Sequence, residues 1–276
     1  MRKILAKAQA MAALEPLFAC PVCQQPLQVE ATSLVCENGH RFDLAKKGTV
    51  NFLNKPVPTE YDAPMLAARR RVLQAGFFEP FLTTIKAQLT AADLVLDVGC
   101  GEGSPTAFLA TKAPAVGFDI SAPAINLAGS LATPALYCVA DLARLPFLGK
   151  RFSAVVDLFS PGAYREFDRV LQPGGRLFKV IPEAGYLQEL RTGLYAGTDK
   201  ANYSNEAVLS RFMATYPQAT SQLFSYDFPV TSAQFADVMA MTPLSWQAPT
   251  AKREALLAAP PTHIHVAVRL LQVNNF

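Results

Sequence analysis

The sequence predicts an α/β fold: an open, doubly wound parallel sheet preceded by a small cysteine-bearing module. Three observations predict it. The run VLDVGCGEG at residues 95 to 103 reads as a buried strand ending in a glycine-rich turn, and a lone acid, Asp119, ends the next strand-like run. Apolar runs then alternate with helical patterns as far as residue 181, the βαβ order of a parallel sheet. Three of the five cysteines fall in the first 40 residues, beside His40. With 276 residues and 51% hydrophobic content, the chain can bury one sizeable core and a small appended domain, which excludes disorder.

Residues 1 to 19 read as a short helical extension. Their basic start and lipobox-like end at Cys20 resemble a leader, but Lys7, Gln9 and Glu15 interrupt the apolar core that a leader needs. No run is long and apolar enough to span a bilayer, so a cytoplasmic protein without membrane contact is expected. Residues 20 to 53 form the module. Cys20, Cys23, Cys36 and His40 follow C-x2-C-x12-C-x3-H, two close donor pairs that can converge on one tetrahedral Zn²⁺. Pro21 and Pro26 bracket the first turn, Asn38-Gly39 makes the second, and short β segments are expected at 34–35 and 49–53. The competing reading is a disulfide beside an unrelated His, which a reducing cytoplasm disfavours. Cys100 and Cys138 read as buried small residues at strand ends. Residues 54 to 64, NKPVPTEYDAP, read as an exposed linker.

Residues 65 to 276 read as one domain. A helical pattern over 65–89 breaks near Gly76. Strands are expected at 94–98, 115–119, 135–139, 152–159 and 176–181, with helices at 106–112, 123–131 and 164–171, and LQPGG at 171–175 as a sharp turn into the last strand. His263 and His265 alternate on a C-terminal strand and so share one sheet face, without a metal. The chain shows no internal repeat and no low-complexity segment.

The glycine turn does not have dinucleotide spacing. GxGxxG needs a third glycine to seat a helix under a pyrophosphate, whereas here Gly99, Gly101 and Gly103 alternate and Asp97 enters the turn itself. An acid in that place suits a ligand with an ammonium group and no pyrophosphate, such as S-adenosylmethionine. Asp119 is placed to accept from ribose hydroxyls, and Asp141, with Leu142, follows the third strand where a carboxylate can accept the adenine amino group. DLFSP, residues 157 to 161, opens onto the carboxyl edge of the sheet, where ligands of such sheets sit.

Taken together, CPVCQQPL, CENGHRFDLAKKGTVNFL, MLAARRRVLQAGFFEPF, VLDVGCGEG, RLPF and MTPLSW resemble the RlmA family. Its members are bacterial 23S rRNA guanine-N1 methyltransferases, with an N-terminal zinc domain on a Rossmann-like class I methyltransferase sheet. The likeness covers nearly the whole chain from Cys20 onward. It implies rRNA methylation with S-adenosylmethionine as donor, Cys20, Cys23, Cys36 and His40 as zinc ligands, and cofactor contacts at Gly101 and Glu102. Phe78 stands where family members can carry a cofactor-contacting Tyr, and Tyr186 where a His can occur. Ser104 resembles members from Gram-positive bacteria more than enteric ones, and the two branches modify different, nearby guanines of one hairpin.

In such a reaction the protein's task is to align the methyl carbon with a nitrogen lone pair and exclude water. Guanine N1 must lose its proton, which a carboxylate can assist. Asp157 is the candidate by position, the alternatives being a surface residue or a partner for Arg165. A hairpin guanine must be splayed out to reach the methyl group, with Phe77, Phe78 and Phe159 as stacking surfaces or plain core. Residues 1 to 71 hold ten Lys and Arg against six Asp and Glu, while the whole chain is only +3. The excess lies on Arg41, Lys46, Lys47, Lys55 and Arg69 to Arg71, where it neutralises phosphates of an rRNA hairpin or simply solvates a helix face. A small-molecule methyltransferase explains the glycine turn but not the module. A zinc-ribbon RNA-binding protein with a vestigial methyltransferase fold explains the module but not the intact Asp97, Gly99, Gly101 and Asp119, and a cofactor-binding assay separates the two. The sequence leaves open the target nucleotide, naked rRNA against an assembled particle, and a homodimer against a monomer.

Overall fold

The computed structural model describes residues 2–55 and 57–274. In chain order the first elements are α1 (Lys3–Ala12), β1 (Gln28–Glu30), β2 (Ser33–Val35), β3 (Arg41–Asp43), β4 (Val50–Asn51), α2 (Ala63–Gln74) and α3 (Glu79–Ala87). The central ones are β5 (Val95–Val98), α4 (Ser104–Leu109), β6 (Ala115–Asp119), α5 (Ala122–Ala128), β7 (Leu136–Val139), β8 (Phe152–Leu158), α6 (Tyr164–Val170) and β9 (Leu171–Pro182). The last are α7 (Gln188–Tyr195), α8 (Glu206–Thr215), β10 (Thr220–Pro229), α9 (Ser232–Met241), α10 (Pro243–Trp246), α11 (Thr250–Ala258) and β11 (His263–Val273). Among the described residues, no helix is long and apolar enough to cross a membrane.

The chain divides into two units, and the division differs from the sequence boundaries. One takes the N-terminal residues through Asp62 together with Leu82–Phe178, and the other takes Ala63–Phe81 with Lys179–Val273. In the first unit the strands lie in the order β9-β8-β5-β6-β7-β4. β5 pairs in parallel with both β6 and β8, and β7 with β6. From β5 the chain winds one way through β6 and β7 and then returns to β8 and β9 on the other side. This is the doubly wound order, and its reversal between β5 and β8 opens a crevice at the carboxyl ends of those strands. All residues of β5, β7 and β8 are buried, as fits strands covered on both faces.

The N-terminal module is built into this unit rather than hung beside it. β1, β2 and β3 form an antiparallel sheet of their own, but β4 pairs in parallel with β7, Val50 opposite Cys138. Phe18 packs against Phe52 and Phe147 with ring centroids 5.7 and 5.6 Å apart, and Phe147 meets Phe152 edge-on at 5.1 Å. Three lysines fasten the other side: Lys3 Nζ donates to Leu131 O, Lys47 Nζ to Asn126 O, and Lys7 Nζ to Thr133 O and Ala135 O. These carbonyls end α5 and the loop after it, where cations complement the helix dipole. Burial lowers the Lys7 amine to about 8.

In the second unit, β10 and β11 pair antiparallel over ten residues, from Thr220 opposite Gln272 to Pro229 opposite His263. Phe77 packs edge-on against Phe228, Phe81 against Phe224, and the Tyr226 hydroxyl donates to Phe77 O at 2.7 Å. α9 packs on α2 and opens with a capping box made by Thr231 and Gln234. The break expected near Gly76 separates α2 from α3, and Gly76 there has φ +96°. LQPGG differs from expectation, since β9 begins at Leu171 and incorporates the turn.

Candidate cofactor turn and zinc site

After β5 the chain must reverse into α4 within six residues, and it does so through left-handed backbone that only glycine adopts without strain. Gly99, Gly101 and Gly103 have φ of +63°, +56° and +88°. A Cβ on Gly99 would lie 2.1 Å from Ser160 Oγ, and one on Gly103 would lie 2.7 Å from Ala128 Cβ. Asp119, at the tip of β6, accepts from Gly101 N at 2.9 Å through one oxygen and from Ser121 N at 2.8 Å through the other. Asp97 is 1% exposed, and its Oδ2 accepts from Thr106 Oγ1 at 2.6 Å. Glu102 is fully buried, with its carboxylate on Ser104 N at 3.0 Å and Ser104 Oγ at 2.8 Å at the start of α4. The Tyr137 hydroxyl, raised by burial, donates to Gly103 O at 2.9 Å. The Cys100 thiol inside the turn is pushed well up by burial and by the nearby Asp97 and Asp119, which makes it packing rather than a nucleophile.

Asp157 is neither a surface residue nor an exposed base. It is fully buried, and its Oδ1 accepts from Ser160 N at 3.0 Å. That bond closes the turn after β8 and holds Phe159 at φ +63°. Ser160 Oγ donates to Val98 O at 3.1 Å, which ties this turn to the glycine turn. Phe159 is half-buried, whereas Phe77 and Phe78 are 0% and 1% exposed. Phe78 packs against Phe77 and Phe81 and carries the Arg69 guanidinium over its ring at 5.6 Å, so the stacking role read for Phe77 and Phe78 gives way to core packing. Tyr186, in the second unit, is half-buried with its phenol raised by burial. Asp141 is exposed and closes a short turn onto Ala143 N at 2.9 Å, with Leu142 half-buried beside it.

The zinc-type donors converge. The ligand atoms of Cys20, Cys23, Cys36 and His40 all lie within 4.8 Å of one another. Cys23 Sγ to Cys36 Sγ is 3.6 Å, Cys20 Sγ to His40 Nδ1 is 3.6 Å, and Cys36 Sγ to His40 Nδ1 is 3.3 Å. The edges of a tetrahedron with Zn–S and Zn–N bonds are roughly 3.4–3.8 Å, and these three separations lie at or within about 0.1 Å of that range, as suits a zinc ion. The spacing does not fit a disulfide, whose sulfurs bond at about 2.05 Å. Hydrogen bonds, first from Gln25 N and then from Asn38, lower the Cys23 thiol to about 6, toward the ligating thiolate.

Part of the basic excess is committed to the fold. Arg71 pairs bidentately with Asp237 at 2.6 and 2.7 Å, Arg69 lies over Phe78, and Lys47 is spent on a carbonyl. Arg41 pairs with Glu30 at 2.9 Å between exposed side chains, while Lys46 and Lys55 are exposed. His265 is a structural residue, with Nδ1 2.7 Å from Asp227 Oδ1 and Nε2 3.1 Å from Ser225 Oγ.

Sequence comparison joins the two sites. The family described as "RlmA, N-terminal" matches residues 18–58, and "Methyltransferase domain" matches residues 95–175. The chain is 37% identical over 270 residues to a Bacillus subtilis (strain 168) protein named "Putative 23S rRNA (guanine-N(1)-)-methyltransferase YxjB", covering 92% of this chain and 96% of that one. The chain belongs to the 23S rRNA (guanine-N1)-methyltransferase family. A further family member, "23S rRNA (guanine(748)-N(1))-methyltransferase" of Streptomyces fradiae, is 31% identical over 239 residues, with 82% of this chain and 85% of that protein covered. Among solved structures, one titled a methyltransferase from an antibiotic biosynthesis pathway of Anabaena variabilis superposes with a TM-score of 0.54 at 12% identity. It spans 70% of this chain and 96% of that one, which supports the fold alone. S-adenosylmethionine and zinc are accordingly the cofactors of this methyltransferase.

Sequence reasoning does not find Thr106 or Tyr137 as contacts of the turn, and reaches Ser160 only as part of DLFSP. They contact the turn only once the sheet has formed, and no spacing rule marks them.

Proposed function

We propose that the chain transfers a methyl group from S-adenosylmethionine to N1 of a guanine in a hairpin of 23S rRNA. One observation carries the reading: a four-donor metal cluster and the glycine turn lie in one unit, where β4 of the donor-bearing module pairs with β7 of the glycine turn's sheet, in a chain alike over 92% of its length to a relative named for that reaction. We assign the zinc to Cys20, Cys23, Cys36 and His40, where it would act as a structural cross-link. The cofactor would be held by Gly99, Gly101 and Glu102 along the turn, with Asp97 toward its ammonium group, Asp119 toward the ribose, and Asp141 and Leu142 toward the adenine. When bound, S-adenosylmethionine supplies an electrophilic methyl group on a sulfonium. The chain's own residues then orient the acceptor, and Phe159, of the three aromatic candidates, is the one that keeps ring surface on which a splayed-out guanine can stack.

The test is mass mapping of 23S rRNA from cells with and without the gene. Loss of one methyl group from a single guanine is expected. An unchanged methylation map would overturn the reading and favour a small-molecule acceptor.

A further inference from the structure

The segment RLPFL, residues 144–148, has the hydrogen-bonding character of a strand with two edges. One edge meets the chain leading into the zinc site: Ala19 N donates to Pro146 O at 3.0 Å, Leu148 N donates to Leu17 O at 2.9 Å, and Phe18 bridges to Phe147. Ala19 immediately precedes the first donor, Cys20. Along the opposite edge, two side chains of α6 take the polar groups that a neighbouring strand would take: Glu166 Oε2 accepts from Leu145 N at 2.8 Å, and Arg169 donates to Phe147 O at 2.7 Å and to Leu145 O at 3.0 Å. Glu166 and Arg169 are themselves joined bidentately, both bonds 2.7 Å. The main chain completes the fastening, with Lys150 N donating to Arg169 O and Arg151 N to Val170 O.

We propose that Glu166 and Arg169 are positioning residues for rRNA recognition: they stand in for a missing strand on the 144–148 segment and so fix where the zinc module stands relative to the glycine turn. The proposal rests on the rRNA methyltransferase reading. α6 comes after the turn that contains Asp157, Phe159 and Ser160, so the pair links the zinc module to the acceptor end of β8 through one helix. A carboxylate and a guanidinium suit this work because the fork satisfies adjacent carbonyls and a main-chain N–H together, in fixed geometry. Without them, buried main-chain groups of the segment lose their partners and its register on residues 17–19 is no longer enforced.

The test uses the full chain with a hairpin transcript of 23S rRNA. Arg169→Met should raise the KM for RNA about tenfold, the scale expected for lost charge-assisted hydrogen bonds, with S-adenosylmethionine affinity and zinc content unchanged. Amide exchange at Ala19 and Leu148 should quicken while the amides of β5 keep their protection. Arg169→Lys, which retains the cation and loses the fork, should fall between the two and serves if the Met variant does not fold. An RNA KM equal to wild type in both variants, or an equal loss of cofactor affinity, overturns the proposal. Failure of the wild type to methylate RNA would instead sink the function reading, and the exchange measurement would still decide whether the pair holds the segment.

Discussion

Asp119 is asked to do two tasks with one carboxylate. It accepts from Gly101 N and Ser121 N, so it shapes the turn before any ligand arrives, and the proposed function adds a contact to the ribose. Removing it should both loosen the turn and delete the ribose acceptor. Asp119→Ala is therefore expected to weaken S-adenosylmethionine binding by about 1.5–3 kcal/mol in isothermal calorimetry, on the scale of hydrogen bonds to a charged group. Unchanged affinity would remove Asp119 from the cofactor site. The acid is legible in the sequence because it ends a strand-like run sixteen residues after the glycine-rich turn. Its main-chain partners are not, since they exist only where β5 and β6 lie side by side.

At the scale of elements, three strands meet at Asp93. Burial would raise its carboxyl, but hydrogen bonds from Ser153 on β8, from Thr90 and from Arg176 on β9 outweigh it and hold the group at about 2. A folded-state pKa below the ordinary 3.8 means the ionised form is favoured by folding, so this stability is present above pH 3.8 and is lost as pH falls toward 2. Thermal unfolding followed from pH 5 to pH 2 should show a decline that Asp93→Asn flattens, and equal slopes in the two proteins would contradict the assignment. The strand and helix order from 95 to 181 is legible because parallel strands covered on both faces are continuous apolar runs. β10 is not, because TSQLFSYDFP exposes its first four residues, alternates only from Phe224 onward, and so gives a weak signal among polar loops. RLPF is legible as a motif but not as a rail for the zinc module, because its partners lie about 130 residues earlier in the chain.

The zinc module shows the same division between local and long-range signal. Its boundary at residue 53 follows composition, yet β4 belongs to the main sheet and Phe52 to an aromatic cluster with Phe18. Metal analysis should give about one zinc per chain, the stoichiometry of a closed four-ligand site. Cys36→Ala should abolish it and RNA methylation together, with cofactor binding retained because the glycine turn makes none of these contacts. Retained stoichiometric zinc in that variant would refute the ligand assignment.

For the whole molecule, net charge overstates the surface available to RNA. The chain carries +3, with its excess in the first 71 residues, but Lys3, Lys7 and Lys47 are held on carbonyls and Arg71 on Asp237. A cation fixed in this way keeps its field and loses its reach. The proposed function therefore assigns phosphate contact to side chains that extend from the module and the adjoining linker, Lys46 and Lys55 foremost, with Arg41 releasable from its exposed pair with Glu30 at little cost. Changing Lys46 and Lys55 to Ala should weaken hairpin binding and flatten its log–log salt dependence by roughly 0.7–0.9 per phosphate contact removed. Arg71→Ala should leave that slope unchanged and act on stability instead, by freeing Asp237. Titrations across several salt concentrations separate the two classes: a slope altered only by Arg71→Ala would move the RNA footprint from the zinc module to α2.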